Sequence, residues 1–434
     1  MTTSTARAAA TRAPRPLLSS GRALAIATLI CTLEGFDLAV WGASVPLIMK
    51  DPGFGLTLPA AGLIGAIISV GMLIGAAVAG AIVQRVGQVR LIGVAVALFT
   101  VGMLVCAVAG EPVLFGVGRL VVGLGLGVVL PTVNAYTADI SKPGRIGRNI
   151  GLTMAGYGLG ALCAPLLAAL LQQQSYRWLY VIGVVPALIL LPLLRRLPES
   201  PAFLWRTGRR DEARELATAF GLPDPSAQVE SHPGRWLGLG ALFAKGVAPA
   251  TVLFWIVSFC GLLLVFGISA WLPTILQAAQ YAIGNALFLT AAMWLGVIVG
   301  VIVGGRIADI IGAKAMVVIA FLTGTLGLVL MAFAPPLWLM YVLMFISGFG
   351  FIGSQIMSNA LMVTRYPTEL RANGIAWALS IGRIGAIVGP PLGAAVLAAQ
   401  VPVEWNFYAF AIPALVGAVA ALLVPRITAS RSTR

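Results

Sequence analysis

Residues 112–138 read PVLFGVGRLVVGLGLGVVLPTVNAYTA, and residues 337–363 read LWLMYVLMFISGFGFIGSQIMSNALMV. Each run is long enough to cross a hydrocarbon core as a helix, which takes roughly 20 apolar residues. Neither alternates apolar with polar positions, so neither reads as a strand. The two also lie on one another. Gly123 and Gly125 fall on Gly348 and Gly350, and Asn134-Ala135 falls on Asn359-Ala360, at a constant offset of 225. The same offset carries Gly80 onto Gly305, Gly87 onto Gly312, Gly160 onto Gly385 and Pro165 onto Pro390. One offset kept over several runs marks an internal duplication.

Working outward, similar runs fall near 23–47, 60–83, 91–110, 149–172, 177–194, 250–272, 284–307, 315–334, 373–399 and 404–425, making twelve spans in all. The expected fold is an all-α polytopic membrane protein whose two six-helix halves are related by a pseudo-two-fold axis along the membrane normal. The divisions expected are a cytoplasmic tail 1–22, a first half 23–194, a middle loop 195–248, a second half 249–425 and a tail 426–434. Composition agrees. Of 434 residues 59% are hydrophobic and 10% charged, against about 25% charged in soluble domains. The net charge of +14 comes from basic residues in short segments between apolar runs, with no DNA-binding motif, so nucleic acid is excluded as a partner.

Orientation follows from the loops, because Lys and Arg concentrate on the cytoplasmic side. With both termini inside, 24 of the 28 Lys and Arg residues are cytoplasmic. Lys50 and Arg177 fall outside, and Arg119 and Arg383 stay within spans. A multi-pass protein of the cell inner (plasma) membrane is expected, as a monomer and with no cleavable signal peptide, since the first apolar run is too long for one. The middle loop holds a short helix near Arg209–Phe220 and the sole histidine, His232, read as a solvated loop residue; its basic residues are expected against anionic lipid headgroups. The four cysteines sit in apolar runs at unrelated spacings and read as small packing residues, so neither disulfide nor metal is expected.

Chemistry is expected where charge enters the membrane, since an ionisable residue there is costly unless it faces a cavity or a partner. Glu34, Asp37 and Trp41 are spaced to share one helical face. Burial favours the protonated form of a carboxyl and a neighbouring Arg the ionised form, so such an acid can exchange a proton as access alternates; Asp37 is favoured over Glu34 for this. Arg119 lies at a depth near that of Asp37, and could pair with either acid. Arg383 lies mid-span in Gly382-Arg383-Ile384-Gly385, and its planar fork suits a carboxylate. Under the offset Asp37 falls on Leu262, Arg119 on Met344 and Arg383 on Gly158: the glycines and prolines repeat and the charges do not. Shared features are read as architecture and unshared charges as function. Trp41 and Trp377 share helices with these charges and are candidates for stacking on a flat substrate. Tyr157 is a further aromatic candidate for substrate contact, and Gln355, Asn359 and Asn134 are candidate hydrogen-bonding groups. The turns Gly80-x-x-x-Gln84-Arg85-x-Gly87 and Gly305-x-x-x-Asp309-x-x-Gly312 are expected to lock neighbouring helices and gate their motion.

Together these residues resemble the major facilitator superfamily, from about residue 20 to 425. The marks are the Gly-x-x-x-Asp-Arg-x-Gly type turn, the Arg-x-x-x-Gly-x-Gly fourth span, and Pro198-Glu199-Ser200-Pro201-x-Phe203-Leu204 after the sixth. Within it, Glu34-Gly35-Phe36-Asp37 is similar to the Asp-Gly-x-Asp of the aromatic acid:proton symporter family, and Gly382 to Pro390 to its Gly-Arg-x-Gly-x-x-x-Gly-Pro. Glu34 stands where that family more often has Asp. Gln84 stands where the turn usually has Asp, so the first-half turn lacks that acid, whereas Asp309 keeps it in the second. The resemblance implies that Asp37, Arg119 and Arg383 are the functional charges, and that a benzoate-like or phenylpropanoid acid enters with protons by alternating access. No cofactor is expected. A proton-coupled efflux antiporter for a drug or metabolite is the second reading. An enzyme is disfavoured: no span holds a His, and no nucleophile or metal constellation appears.

Overall fold

The computed structural model describes residues 19–226, 239–244 and 246–425. His232 and most of both tails therefore lie outside the described residues. Twelve helices are long and apolar enough to cross a membrane. In the first half they are α1 (Ser20–Ile48), α2 (Leu58–Val86), α3 (Gln88–Val108), α4 (Pro112–Asp139), α5 (Ile146–Leu170) and α6 (Arg177–Leu194). Two short helices follow, α7 (Pro201–Arg206) and α8 (Arg210–Phe220), then a 3-10 turn at Leu239–Phe243. The second half holds α9 (Ala248–Ala278), α10 (Ile283–Ile311), α11 (Ala313–Met331), α12 (Leu337–Arg365), α13 (Thr368–Ala398) and α14 (Glu404–Leu423).

Helix ends follow local chemistry rather than hydropathy. Thr57 caps α2 by accepting from the Ala60 N–H at 3.4 Å, and Pro112 opens α4, where its missing N–H costs nothing. α13 starts at Thr368, a turn before the apolar run at 373, and α9 continues to Ala278, past the expected 272. Apolar residues mark where lipid begins, while backbone hydrogen bonds mark where a helix ends.

The duplication is physical. α1 packs on α5 as α9 does on α13; α2 and α3 pack on α4 as α10 and α11 do on α12; and α3 meets α6 as α11 meets α14. The repeated glycines make these contacts. A Cβ on Gly123 would stand 2.3 Å from the Ile68 carbonyl oxygen, and one on Gly348 would stand 2.1 Å from that of Met293, the residue 225 positions beyond Ile68. Close approach of backbones through small residues replaces the hydrophobic drive that lipid cannot supply. The symmetry breaks in α12, where Phe349–Gly353 forms a π-turn that regular α4 lacks.

Between the halves, α2 packs on α13, α10 on α5, and α1 on α9. The α2–α13 seam runs antiparallel: Gly62, Gly65, Ser69 and Met72 meet Ala394, Pro390, Ala386 and Arg383 in turn. Gly42 meets Ser269, Gly158 meets Ile298, and Gly284 meets Gln172. All of these contacts lie between the helix midpoints and the end carrying the α1–α2 turn. At the opposite end, positions Gly80, Gly147, Gly151 and Gly305 have open space where a Cβ would stand. Among the described residues these contacts between the halves thus gather at one end, the closed end, and the end without them is the parted one.

Candidate functional site

The first-half charges form one buried cluster. Asp37 on α1 accepts from Arg119 Nη1 on α4 at 2.6 Å, and the two side chains are 0% and 1% exposed. Of the two acids Arg119 could have met, it holds Asp37. The guanidinium sits 5.8 Å from the Trp41 ring centroid, within cation–π range. Trp41 leans on Phe115 at 5.5 Å, and Phe115 meets Tyr180 edge-on at 5.2 Å. Ser44 donates to the Trp41 carbonyl at 3.0 Å, so in its 2.8 Å contact with Tyr180 the phenol is the donor. Asp37, Trp41 and Ser44 project from one face of α1, the geometry their spacing dictates. Trp41 is buried against the seam: a Cβ on Gly65 would stand 3.0 Å from its indole nitrogen. In this conformation it is part of the closed wall and offers no open stacking face.

Glu34 sits one turn from Asp37, at the middle residue of α1. It is 2% exposed, and neither carboxylate oxygen has a hydrogen-bond partner among the described residues. It lines a small cavity together with apolar Val96 and Phe99 of α3 and Leu126 and Val129 of α4. Gly35, the next residue, packs on the backbone of α5, where a Cβ would stand 1.8 Å from the Tyr157 carbonyl oxygen. Arg383 is the middle residue of α13 and is partly exposed. Its Nη1 reaches Met72 Sδ at 3.5 Å, across the interface, where Met72 is the middle residue of α2. A thioether is a weak acceptor for a group with five donors. Arg383 thus stands where the seam ends, facing the parted side.

Why α13 carries this site is a matter of its prolines. Pro390 has no N–H, so the Ala386 carbonyl loses its helical donor. Ser69 Oγ fills that role from across the seam at 3.2 Å, and Trp271 Nε1 donates to the Pro390 carbonyl at 2.6 Å. Neither Ser69, Met72 nor Tyr180 stood out in the sequence, because a hydroxyl, a thioether or a phenol in an apolar span carries no charge to mark it.

In the second half, one turn of α9 is shared by two partners. Gly382, beside Arg383, packs on the Ser258 carbonyl, and Gln355 of α12 lies against Gly261. Gln355 is buried with both amide atoms lacking partners among the described residues, as are Asn359 Oδ1, Trp377 Nε1 and Ser258 Oγ. The π-turn ends just before Ser354-Gln355. Trp377 lies six residues from Arg383, about 9 Å along the helix, on the parted side of it. Tyr157 and Arg383 therefore lie at the middle of their helices, with Gln355 one turn and Asn359 two turns past the middle of α12 towards the parted end, while Trp41 stays behind the wall.

The turns lie at the parted end. Gly80, Arg85 and Asp309 are exposed. Gly87 and Gly312 both adopt positive φ, +93° and +90°, with ψ near extended, a region only glycine enters freely. The first-half turn is held by an acid the sequence reading did not assign. Glu199 accepts from the N–H groups of Gln88 and Val89 at 2.9 and 3.1 Å, an anion on the N-terminus of α3. Asp139 Oδ2 accepts from Gln88 Nε2 at 3.0 Å and from Ser200 Oγ at 2.5 Å. In the second half Lys314 Nζ donates to the Val424 carbonyl at 2.9 Å. All four cysteines are free, three buried and Cys163 exposed, and no cluster among the described residues has metal-ligand composition.

Twelve duplicated helices around a charged midplane define a polytopic secondary transporter, with substrate sites between the halves. The chain belongs to the Major Facilitator Superfamily, whose sequence profile it matches over residues 27–304 and 280–434. It is a multi-pass membrane transporter and not an enzyme. It is 31% identical to the benzoate transport protein of Acinetobacter baylyi, covering 93% of this chain and 89% of that one. It is 31% identical to the gentisate transporter of Corynebacterium glutamicum (94% and 89% covered) and 32% to the gallate transporter of Pseudomonas putida (92% and 90%). Among solved structures it superposes on the partially occluded inward-open xylose transporter XylE from E. coli with a TM-score of 0.75 at 18% identity, over 95% of this chain and 99% of that chain.

Proposed function

We propose that the protein imports an aromatic carboxylate together with protons by alternating access. The observation that carries this is Arg383: a guanidinium at the middle of α13, at the end of the inter-half seam, whose one hydrogen bond among the described residues is to a thioether. It is a site short of an anion. The benzoate, gentisate and gallate transporters that resemble this chain support a benzoate-like acid as that anion. Arg383 takes the carboxylate as a bidentate pair. Tyr157, Gln355 and Asn359 hydrogen-bond ring substituents, and Trp377 meets the ring as it leaves towards the parted end. Trp41 backs the Asp37–Arg119 pair. Asp37, Glu34 and Arg119 form the proton-coupling cluster.

The distribution of Lys and Arg supports an orientation in the cell inner membrane with both termini cytoplasmic, and a monomer suffices, since both halves lie in one chain. In that orientation the closed end is the outer one, and the structure is inward-facing. Residues 23–194 and 249–425 then rock about the midplane, with the turns at Gly80–Gly87 and Gly305–Gly312 as gating elements. Basic residues of the middle loop rest on anionic lipid.

The test is uptake of labelled benzoate, hydroxybenzoates and phenylpropanoates into proteoliposomes, acid outside. Accumulation that collapses with a protonophore is the expected result. Loss of every aromatic acid from the uptake profile, or accumulation only with the gradient reversed, would sink the reading.

A further inference from the structure

The chain is apolar again just before it enters the second half, outside any span. Leu239-Gly240-Ala241-Leu242-Phe243-Ala244 carries no charge. Its 3-10 turn, Leu239–Phe243, buries Leu242 and leaves Leu239 41% and Phe243 44% exposed. Phe243 meets Trp255 of α9 edge-on, with ring centroids 5.5 Å apart. Trp255 belongs to the outward face of α9: Val252, one turn before it, is exposed, whereas Thr251, Phe254 and Ser258 on the other face are buried. α9 begins at the parted end, since its Ser269 meets Gly42 at the closed one. From the start of α9 at Ala248 to Trp255 is about 10 Å along the helix, a depth at which an indole sits at headgroup level. The exposed side of the 3-10 turn is therefore continuous with the lipid-facing side of a spanning helix.

The turn is also tied to the helices behind it. Thr251 Oγ1 donates to the Leu242 carbonyl at 3.0 Å, nearer than its own helical acceptor, Val247, at 3.3 Å. The same oxygen accepts from the Tyr366 hydroxyl at 3.0 Å. Tyr366 lies in the turn between α12 and α13, buried against Phe254 with ring centroids 5.2 Å apart. A Cβ on Gly374 of α13 would stand 2.6 Å from the Tyr366 ring. Thr251 thus joins the 3-10 turn to the start of the helix that carries Arg383.

We propose that residues 239–244 form a foot that docks on the bilayer surface, with Leu239 and Phe243 in the boundary between headgroups and acyl chains of the leaflet at the parted end. An apolar face beside a spanning helix gains there the burial that water denies it. The occupant is lipid because the patch has no charge to match a polar partner and merges with the belt that α9 presents to the membrane. Thr251 holds the foot to the α12–α13 turn, so that this turn is anchored to the membrane surface. The contact is distinct from that of the basic residues of the middle loop, which act through charge, and it does not depend on what the carrier transports.

The experiment uses the full chain in phosphatidylcholine vesicles, with Cys163→Ser and one environment-sensitive fluorescent label at Leu239→Cys; the other three cysteines are buried. The label is expected to emit to the blue of its position in water, to be quenched by lipid brominated near the top of the acyl chain, and to resist aqueous iodide. Phe243→Asp is expected to reverse all three by lifting the label into water. Thr251→Val should lower the anisotropy of the label while leaving it in lipid. Stronger quenching by iodide than by brominated lipid in the labelled parent puts the foot in water and overturns the proposal, whether or not Phe243→Asp folds. Shielding from both quenchers means that protein covers the patch, a second copy or another part of the chain, and overturns it as well. Anisotropy unchanged in Thr251→Val removes the tie to α13.

Discussion

The charges buried within the spans of this transporter differ in kind. Asp37–Arg119 is a closed pair in one half, fully buried and braced by Trp41, Phe115 and Tyr180. Removing one partner leaves the other charge buried and alone, which costs about 3–5 kcal/mol. Arg119→Gln is therefore expected to lower the melting temperature sharply, and Asp37→Asn combined with Arg119→Gln to recover part of the loss in the same thermal assay. Arg383 has no such partner: its one hydrogen bond among the described residues is to Met72 Sδ. Arg383→Lys keeps the charge but loses the fork. With a charge-assisted hydrogen bond at about 1.5–3 kcal/mol, aromatic acid binding by Arg383→Lys should weaken about 10- to 100-fold in calorimetry, with little change in melting temperature. The four charges were legible in the sequence because a charge in an apolar run stands out. Their pairing was not, since a helical face holds Glu34 and Asp37 alike and only packing chose which of them Arg119 meets.

At the scale of elements, two local devices matter. Pro390 releases the Ala386 carbonyl, and Ser69 of the opposite half satisfies it. Ser69→Ala leaves a buried acceptor open, a cost of about 1–3 kcal/mol borne only by the closed end. The expected outcome is faster labelling, by a membrane-impermeant thiol reagent, of a cysteine placed at Ala43, which is buried near that end of α1. The second device is the α2–α3 turn. Gly87 has a positive φ, and a Cβ there would stand 2.5 Å from Glu199 Oε2. Gly87→Ala therefore meets both strain, about 1–3 kcal/mol, and a clash with the acid that holds α3; its melting temperature should fall further than that of Gly312→Ala, whose site is open. The repeat offset marked both glycines in advance. It could not mark Glu199, because the two halves hold this turn by different groups: a carboxylate on α3 in the first, Lys314 on the Val424 carbonyl in the second.

For the whole molecule, the state is set by one seam. Ser69 and Ala386 lie against each other across α2 and α13, and the halves separate beyond Met72 and Arg383. A disulfide between Ser69→Cys and Ala386→Cys, in a background without the exposed Cys163, is expected to stop uptake until reductant is added. Uptake that continues at its full rate with the bond formed would exclude opening of this seam from the transport cycle. The pairs that join the halves, α2 with α13 and α10 with α5, are equivalent under the duplication, so the proposed rocking motion would open both alike.

The sequence by itself determined the twelve spans, their duplication and the positions of charge within them. Those depend on local quantities: apolar length against bilayer thickness, glycine spacing, and the conspicuous cost of a charge in lipid. Several expected span limits moved by a turn where polar residues continue a helix, as at Thr368 and Ala278, since hydropathy reads the solvent and not the hydrogen bonds. Only the tertiary structure decided that Arg119 takes Asp37, that Trp41 is sealed in the wall, and that Glu34 is left without a hydrogen-bond partner among the described residues. Each of these is a choice among residues equally placed along their own helices. It is settled by how closely glycine lets neighbouring backbones approach and by where the two halves stop touching.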